Sequence, residues 1–167
     1  LWIKHENHTP LGAFKVRGGI VYFDANARQI QQSNGVICAT RGNHGQAIAY
    51  VAAQHDLSAS MVVPHGNSQE KNAAMVSLRA KLIEYGADFQ EALEHAAVLA
   101  RKENLHMVPS FHALLVAGVA TYSLELFRAV ADLDVLYVPV GLGSGICGAI
   151  AARNALGLDV EIVGVVS

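Results

Sequence analysis

The chain has 167 residues, of which 52% are hydrophobic and 16% charged, so it is long and apolar enough to bury the core of a globular domain. Its 12 Lys and Arg residues and 14 Asp and Glu residues form neither a basic stripe nor a charge block, so neither nucleic acid nor a membrane is predicted as a partner. The two cysteines, Cys38 and Cys147, lie far apart in apolar runs, which argues against a disulfide framework or a four-ligand zinc site and favours a cytoplasmic location.

Short β-branched runs alternate with longer helical patterns along the chain, an order that is typical of βαβ units. Strands are predicted at 2–6, 36–39, 59–63, 81–84, 106–108, 135–140 and 161–166. Helices are predicted near 15–31, 46–55, 69–79, 89–104, 116–129 and 145–156. Most of the strands are apolar without alternation, which indicates an α/β fold whose parallel sheet is covered on both faces. Because the sequence begins with Leu1 instead of Met and has strand-like character at both ends, we expect it to be part of a longer protein.

Lys15 stands between a small-residue turn and a predicted helix, in the run Gly-Ala-Phe-Lys-Val-Arg-Gly-Gly that covers residues 12–19. Gly12 and Ala13 leave room beside the chain, and Phe14 can anchor the turn in the core. A lysine amine in this position can form an imine with an aldehyde. Since most lysines at helix starts are solvated charges, the assignment depends on two further motifs.

The second and third motifs each end a predicted strand and open a helix. The second is Gly-Asn-His-Gly-Gln at residues 42–46, where backbone N–H groups are free and a flat ligand can approach glycine closely. The third is Pro-Val-Gly-Leu-Gly-Ser-Gly at residues 139–145, whose amides can converge on a phosphate with the helix dipole behind them. Ser144 can add a hydroxyl donor. Together the three motifs provide an amine, a polar turn and an anion cradle.

In this order and spacing the three motifs resemble the fold-type II pyridoxal-phosphate enzymes, specifically the branch of threonine and serine dehydratases (threonine ammonia-lyases) and serine racemases. The resemblance implies the three-layer parallel-sheet α/β fold of the tryptophan synthase beta subunit, with pyridoxal 5'-phosphate as the cofactor. It implies that Lys15 is the catalytic residue. The implied cofactor-binding residues are Lys15, Asn43, Gly141, Leu142, Gly143, Ser144 and Gly145, with Asn43 on the phenolic oxygen of the cofactor. The implied substrate-binding residues are Thr40, Arg41, Asn43 and His44.

Departures from the family pattern refine the expected reaction. Ala13 stands where family members often have serine, and Leu142 and Ser144 interrupt a run of glycines. Arg41 stands where the racemases place a proton-donating serine, and a guanidinium does not readily give up a proton near neutral pH, so racemisation is disfavoured. We hypothesise instead that Arg41 clamps a substrate carboxylate or a loop acid. The metal-binding acid of the racemases aligns with Val166 or Ser167, so no metal is predicted.

The resemblance divides the chain between two domains. Residues 1–17 and 127–167 would belong to the larger, cofactor-binding domain, and residues 18–126 would form the smaller α/β domain. The implied reaction is conversion of a β-hydroxy amino acid, threonine or serine, to a 2-oxo acid and ammonia, although this chain alone is expected to be inactive. A homo-oligomer is expected because incomplete sheets leave apolar surface exposed.

Two alternatives to this enzyme remain open. One is a nucleotide-binding α/β domain, because Gly143, Gly145 and Gly148 match the spacing of a dinucleotide-binding loop; this is a weak signal without a ribose-binding acid. The other is a non-catalytic scaffold of the same fold, which would bind the cofactor weakly or not at all. Substitution of Lys15 would leave ligand binding by the nucleotide-binding domain unchanged.

Overall fold

The computed structural model describes residues 1–166 and divides them into two compact units. One unit combines Leu1–Val21 with the chain from Phe111 onward, and the other is Tyr22–Ser110. Ser167 lies outside the described residues, so the end of the predicted larger domain and one of the two positions aligned with the racemase metal ligand are not described.

The described chain contains seven helices and six strands, which alternate after two helices at the start. The helices are α1 (Lys15–Ala25), α2 (Ala27–Gln31), α3 (Asn43–Gln54), α4 (Gln69–Ser77), α5 (Phe89–Glu103), α6 (Ala113–Ala129) and α7 (Ser144–Ala155). The strands are β1 (Val36–Ala39), β2 (Ala59–Val63), β3 (Lys81–Glu84), β4 (His106–Met107), β5 (Val135–Pro139) and β6 (Glu161–Val165). All strand pairs are parallel, which confirms the predicted fold class.

The Tyr22–Ser110 unit contains a four-stranded sheet with the strand order β3-β2-β1-β4. Every residue of the central strands β1 and β2 is buried, which explains why both are apolar without alternation. One face packs on α5 through a stripe of alanines spaced four residues apart, whose small side chains let the helix lie close to the strands. The turn at 40–44, whose last two residues begin α3, follows β1, so it lies at the carboxyl end of a central strand, where α/β sheets bind ligands.

The other unit contains the two-stranded sheet of β5 and β6, with Val135 opposite Glu161, together with α6 and α7. Glycines allow its helices to approach closely. A Cβ on Gly148 of α7 would lie 3.0 Å from the backbone nitrogen of Ala120, and one on Gly18 of α1 would lie 2.7 Å from the Leu115 carbonyl oxygen. This packing fixes the start of α1 and the start of α7 within the same unit.

Two predicted elements are wrong. Residues 2–6 form no strand: their backbone makes no ladder, Trp2 is 70% exposed, and the segment is held by the side chains of Lys4 and Glu6. The single helix predicted near 15–31 is broken at Asn26, whose side-chain amide donates to the Tyr22 carbonyl at 2.8 Å and competes with the helical pattern. The other predicted strands and helices are confirmed to within three residues at each end.

The boundaries of the two units also differ from the predicted domain boundaries. The sequence predicts residues 111–126 to be part of the smaller domain of the whole protein, whereas in this chain they lie in the unit that contains α7. The physical reason is that α6 is a single uninterrupted helix that packs along α7, so its first half stays with its second half in the same unit. How either unit corresponds to a domain of the whole protein stays a prediction. No helix within residues 1–166 has both the length and the apolar character needed to cross a membrane.

Candidate functional site

Lys15 is the first residue of α1, and its side chain meets the start of α7. Its Nζ donates a hydrogen bond to the Oγ of Ser144 at 2.5 Å, across 129 positions of sequence. The amine also lies 5.6 Å from the ring centroid of Phe14. Lys15 is partly buried, and this burial lowers the pKa of its amine below the ordinary value of 10.5. A larger fraction of the amine is therefore neutral, and nucleophilic, at neutral pH than in an exposed lysine.

The loop between β5 and α7 is the segment that the sequence predicts to be an anion cradle, and its binding of an anion stays a prediction. α7 begins at Ser144 and is 12 residues long, so the free backbone N–H groups of its first turn face the loop. Gly143 caps the helix with φ 98°, a left-handed conformation that suits glycine. A Cβ on Gly141 or Gly143 would have no neighbour within 4 Å, so the loop presents open space on that side.

A cavity of about 400 Å³ joins these groups. It is lined by Phe14, Lys15, residues 139–145, Val165 and Val166. An amine of lowered pKa, a helix N-terminus and apolar walls together fit a phosphate-bearing aldehyde such as pyridoxal phosphate. A larger cavity in the same unit, of about 720 Å³, is lined by the N-terminal segment and β5 and lacks both Lys15 and residues 141–145, so volume alone does not identify the site.

The turn at 40–44 belongs to the Tyr22–Ser110 unit and has its own hydrogen bonds. The Oγ1 of Thr40, which is 2% exposed, accepts hydrogen bonds from the backbone N–H groups of Gly42 at 3.1 Å and Gly45 at 2.9 Å. The Thr40 hydroxyl oxygen therefore shapes the turn through these two bonds. His44 is buried, whereas Arg41 and Asn43 are exposed. The predicted ligand contacts of Thr40, Arg41, Asn43 and His44 stay predictions.

The structure brings together one part of the predicted residue set and adds residues that the sequence analysis missed. Lys15 and the segment from Gly141 to Gly145 line one cavity, with Leu142 61% exposed. Tyr122 was missed: its hydroxyl donates to the Gly145 carbonyl at 3.4 Å and its ring lies 5.4 Å from that of Phe14. No local signal could have identified it, because it lies within the apolar pattern of α6. Within residues 1–166 no group of three or more His, Cys, Asp or Glu side chains is arranged to hold a metal.

Comparison with protein families agrees with this geometry. The family model described as "Pyridoxal-phosphate dependent enzyme" matches residues 1–167. The chain is 34% identical to the biosynthetic L-threonine dehydratase of Haemophilus influenzae over 168 residues, which cover 100% of this chain and 33% of that protein.

Solved structures show the same fold. A pyridoxal 5'-phosphate-dependent aspartate racemase superposes with a TM-score of 0.89 and 27% identity, over 96% of this chain and 49% of that one. The processed form of threonine deaminase isoform 2 from Solanum lycopersicum superposes with a TM-score of 0.86 and 29% identity, over 97% of this chain and 47% of that one.

The chain thus spans about a third of the length of the curated relative and about half of each solved chain. The match to the family model nevertheless extends over all the residues that carry the amine, the turn and the glycine loop. By its sequence motifs, its parallel α/β fold and this match, the chain belongs to the family of pyridoxal-phosphate dependent enzymes.

Proposed function

We propose that the protein containing this chain is a pyridoxal-phosphate dependent ammonia-lyase, which converts threonine or serine to the corresponding 2-oxo acid and ammonia. The observation that carries the proposal is the hydrogen bond between the Lys15 amine and Ser144 at the start of α7, since it joins a nucleophile to an anion cradle in one cavity. The similarity to threonine dehydratases supports the choice of substrate.

Residues 141–145 bind the phosphate in this proposal. The backbone N–H groups at the start of α7 donate to the phosphate oxygens, and the Ser144 hydroxyl adds a further donor. When the cofactor is bound, its aldehyde reacts with amines and its ring withdraws electrons from the Cα of an amino-acid substrate. Phe14, Val165 and Val166 contribute apolar lining to the same cavity.

Lys15 moves the proton. Its Nζ, whose neutral form is favoured by burial, takes the proton from the substrate Cα as general base. The β-hydroxyl of the substrate then takes up one proton, equivalent to the one removed from Cα, and leaves as water. Hydrolysis of the resulting enamine gives the 2-oxo acid and ammonia. Burial of Lys15 lowers its pKa below the ordinary lysine value, which favours the neutral form that accepts a proton.

The turn at 40–44 is assigned to the substrate and the cofactor ring. Asn43 is proposed to hydrogen-bond the phenolic oxygen of the cofactor. Thr40, Asn43 and His44 are proposed to contact the substrate carboxylate through the turn, and the exposed Arg41 to clamp a carboxylate. An arginine at position 41 disfavours racemisation because its guanidinium retains its proton.

The experiment that tests the proposal uses the full-length protein. Pyridoxal phosphate is added, the mixture is reduced with borohydride, and peptides are mapped by mass spectrometry. The expected adduct is on Lys15 and is absent in Lys15→Ala. Lys102→Ala is the matched control, since Lys102 is exposed on α5 of the other unit. Threonine and serine are then supplied, with the 2-oxo acid measured and the remaining amino acid analysed for its D-enantiomer.

Each outcome has a defined meaning. An adduct on Lys15 with 2-oxo acid from threonine or serine supports the ammonia-lyase. If the D-amino acid were the main product, the proposal that Arg41 disfavours racemisation would be wrong. Nicotinamide-nucleotide binding that survives Lys15→Ala would favour the dinucleotide-binding alternative, and absence of both adduct and ligand binding would favour a scaffold. Arg41→Ala with an unchanged KM would contradict the carboxylate clamp.

The proposal extends to the setting of the enzyme. Cysteine usage supports a cytoplasmic location, and the exposed apolar side chains support a homo-oligomer. The unit with Lys15 and α7 is proposed to belong to the larger, cofactor-binding domain. Size-exclusion chromatography with light scattering tests the oligomer, for which a monomer at micromolar concentration would be the contrary result.

A further inference from the structure

Arg17 makes an unusually complete set of hydrogen bonds in the first turn of α1. Its Nε and Nη2 donate to the two carboxylate oxygens of Glu6, at 2.7 and 3.0 Å. Its Nη1 and Nη2 donate to those of Glu125, at 2.6 and 3.0 Å, and Nη1 also donates to the Thr121 hydroxyl at 3.0 Å. A guanidinium has five N–H donors, so these five contacts use all of them.

Charge balance makes this cluster stable as an ionised unit. Lys4 adds a second cation, with its Nζ 2.9 Å from Glu6 and 2.8 Å from Glu125, so two cations face two carboxylates. Hydrogen bonds from Arg17 and Lys4 lower the pKa of Glu125 to about 2, and those with Glu125 and Glu6 raise the pKa of Arg17. The side chains of Glu6 and Arg17 are 12% and 22% exposed, so that pair is better shielded from water than the half-exposed Glu125.

The same turn of helix carries Lys15. Residues two apart on an α-helix project about 200° from each other, so Arg17 holds the turn from the side opposite to the Lys15 side chain. No ion pair within residues 1–166 holds the Lys15 amine, whose side-chain partner is the Ser144 hydroxyl. The direction of the amine therefore depends on how the first turn of α1 is fixed, and the first turn of a helix is the part most prone to fray.

We propose that Arg17 is a positioning residue for Lys15: by joining the N-terminal segment, α1 and α6 through Glu6, Glu125 and Thr121, it sets the rotation of the first helical turn that aims the amine at the start of α7. The inference rests on the proposed function for the identity of the reacting amine. It assigns to Arg17 a role beyond stability, because a rotation of the turn moves Nζ at the end of a long side chain even when the fold is kept.

The test compares Arg17→Gln and Arg17→Lys in the full-length protein. The first readout is the rate at which Lys15 forms the borohydride-stable adduct with pyridoxal phosphate. We expect Arg17→Gln to be slower by about tenfold or more, because misplacement of a reacting group by ~1 Å costs up to ~10²-fold. Arg17→Lys should recover part of the rate, since an ammonium keeps the charge but cannot form two forked contacts.

The second readout needs no cofactor. Lys15 is labelled with acetic anhydride over a range of pH, and the midpoint of labelling is followed by mass spectrometry. In Arg17→Gln the midpoint should rise toward that of an ordinary lysine, because an amine that leaves its partly buried position regains water. Arg153→Gln is the matched control: Arg153 lies in the same unit and donates to the Val160 carbonyl at 3.0 Å, at the far end of α7.

The outcomes separate the two proposals. If the wild-type protein forms no adduct, the proposed function fails, while the labelling midpoints still report on Arg17. A different result would be normal adduct formation in the wild-type protein, with Arg17→Gln having the same labelling midpoint as Arg153→Gln and an adduct-formation rate within about twofold of it. That result would overturn the positioning role. If Arg17→Gln does not fold, Glu125→Gln is used instead, because it leaves the better shielded pair of Arg17 and Glu6 in place. The labelling midpoint of Lys15 should then rise by a smaller amount, and an unchanged midpoint would overturn the inference.

Discussion

Gly143 and Gly141 give a matched test of the glycine loop. Both positions have open space where a Cβ would be, but only Gly143 has a left-handed backbone, with φ 98°. An alanine at either position would meet no neighbour, so its effect comes from the backbone alone. A left-handed conformation costs a residue other than glycine about 1–2 kcal/mol, which corresponds to a factor of about 5–30 in an equilibrium constant. Gly141→Ala should cost little by this reasoning.

The cost in Gly143→Ala can appear in two places. If the loop keeps its conformation, the free energy of unfolding falls by about 1–2 kcal/mol. If the loop relaxes, the amides at the start of α7 lose their alignment, and the affinity for pyridoxal phosphate falls by about 5–30-fold instead. Urea denaturation and absorbance titration of the full-length protein measure the two quantities. If Gly143→Ala and Gly141→Ala have equal free energies of unfolding and equal affinities for pyridoxal phosphate, the left-handed backbone at Gly143 carries no cost and the prediction is wrong.

Three further predictions concern the first turn of α1 and its neighbours. Gly18→Ala would place a Cβ 2.7 Å from the Leu115 carbonyl oxygen, whereas ordinary contacts begin at 3.4 Å. Overpacking costs about 1–3 kcal/mol and outweighs a helix-propensity gain of up to ~1 kcal/mol, so the free energy of unfolding should fall by about 1–2 kcal/mol in urea denaturation. An unchanged free energy of unfolding would contradict the close approach of the two helices. The pKa of Glu125 is about 2 in the folded protein, against an ordinary 4.5, so between these pH values the folded protein binds fewer protons than the unfolded chain. The free energy of unfolding should therefore fall as the pH falls from about 4.5 to about 2, and it should fall less steeply in Glu125→Gln. Equal slopes of unfolding free energy against pH in the two proteins would argue against the ion pairs. The pKa of Lys15 is lowered in the folded protein, so just below pH 10.5 the unfolded chain binds more protons and the free energy of unfolding should rise with pH toward that value. Denaturation at a series of pH values should show a smaller rise in Lys15→Met. An unchanged rise would mean that the Lys15 amine is solvated in the folded protein.

Local features of the sequence determined the order of elements and the candidate chemistry. β1 and β2 could be predicted because an apolar run without alternation is the requirement of a strand buried on both faces. The start of α1 and the loop before α7 could be predicted because glycine is favoured in turns that need a left-handed backbone, as at Gly12 and Gly143. These signals lie within a few residues of the positions that they describe.

Only the tertiary structure decided which of these parts meet. The Lys15 amine reaches Ser144 across 129 positions, and Arg17 finds Glu125 across 108, distances over which no spacing rule operates. Residues 2–6 do not form a strand because a strand needs a neighbouring strand to pair with its backbone. In the described structure this segment is instead held by side-chain contacts, such as the ion pair of Lys4 with Glu6. Sequence thus fixes what each turn and strand can do chemically, whereas the burial that lowers the Lys15 pKa and the contacts that orient its helix arise only when distant elements pack together.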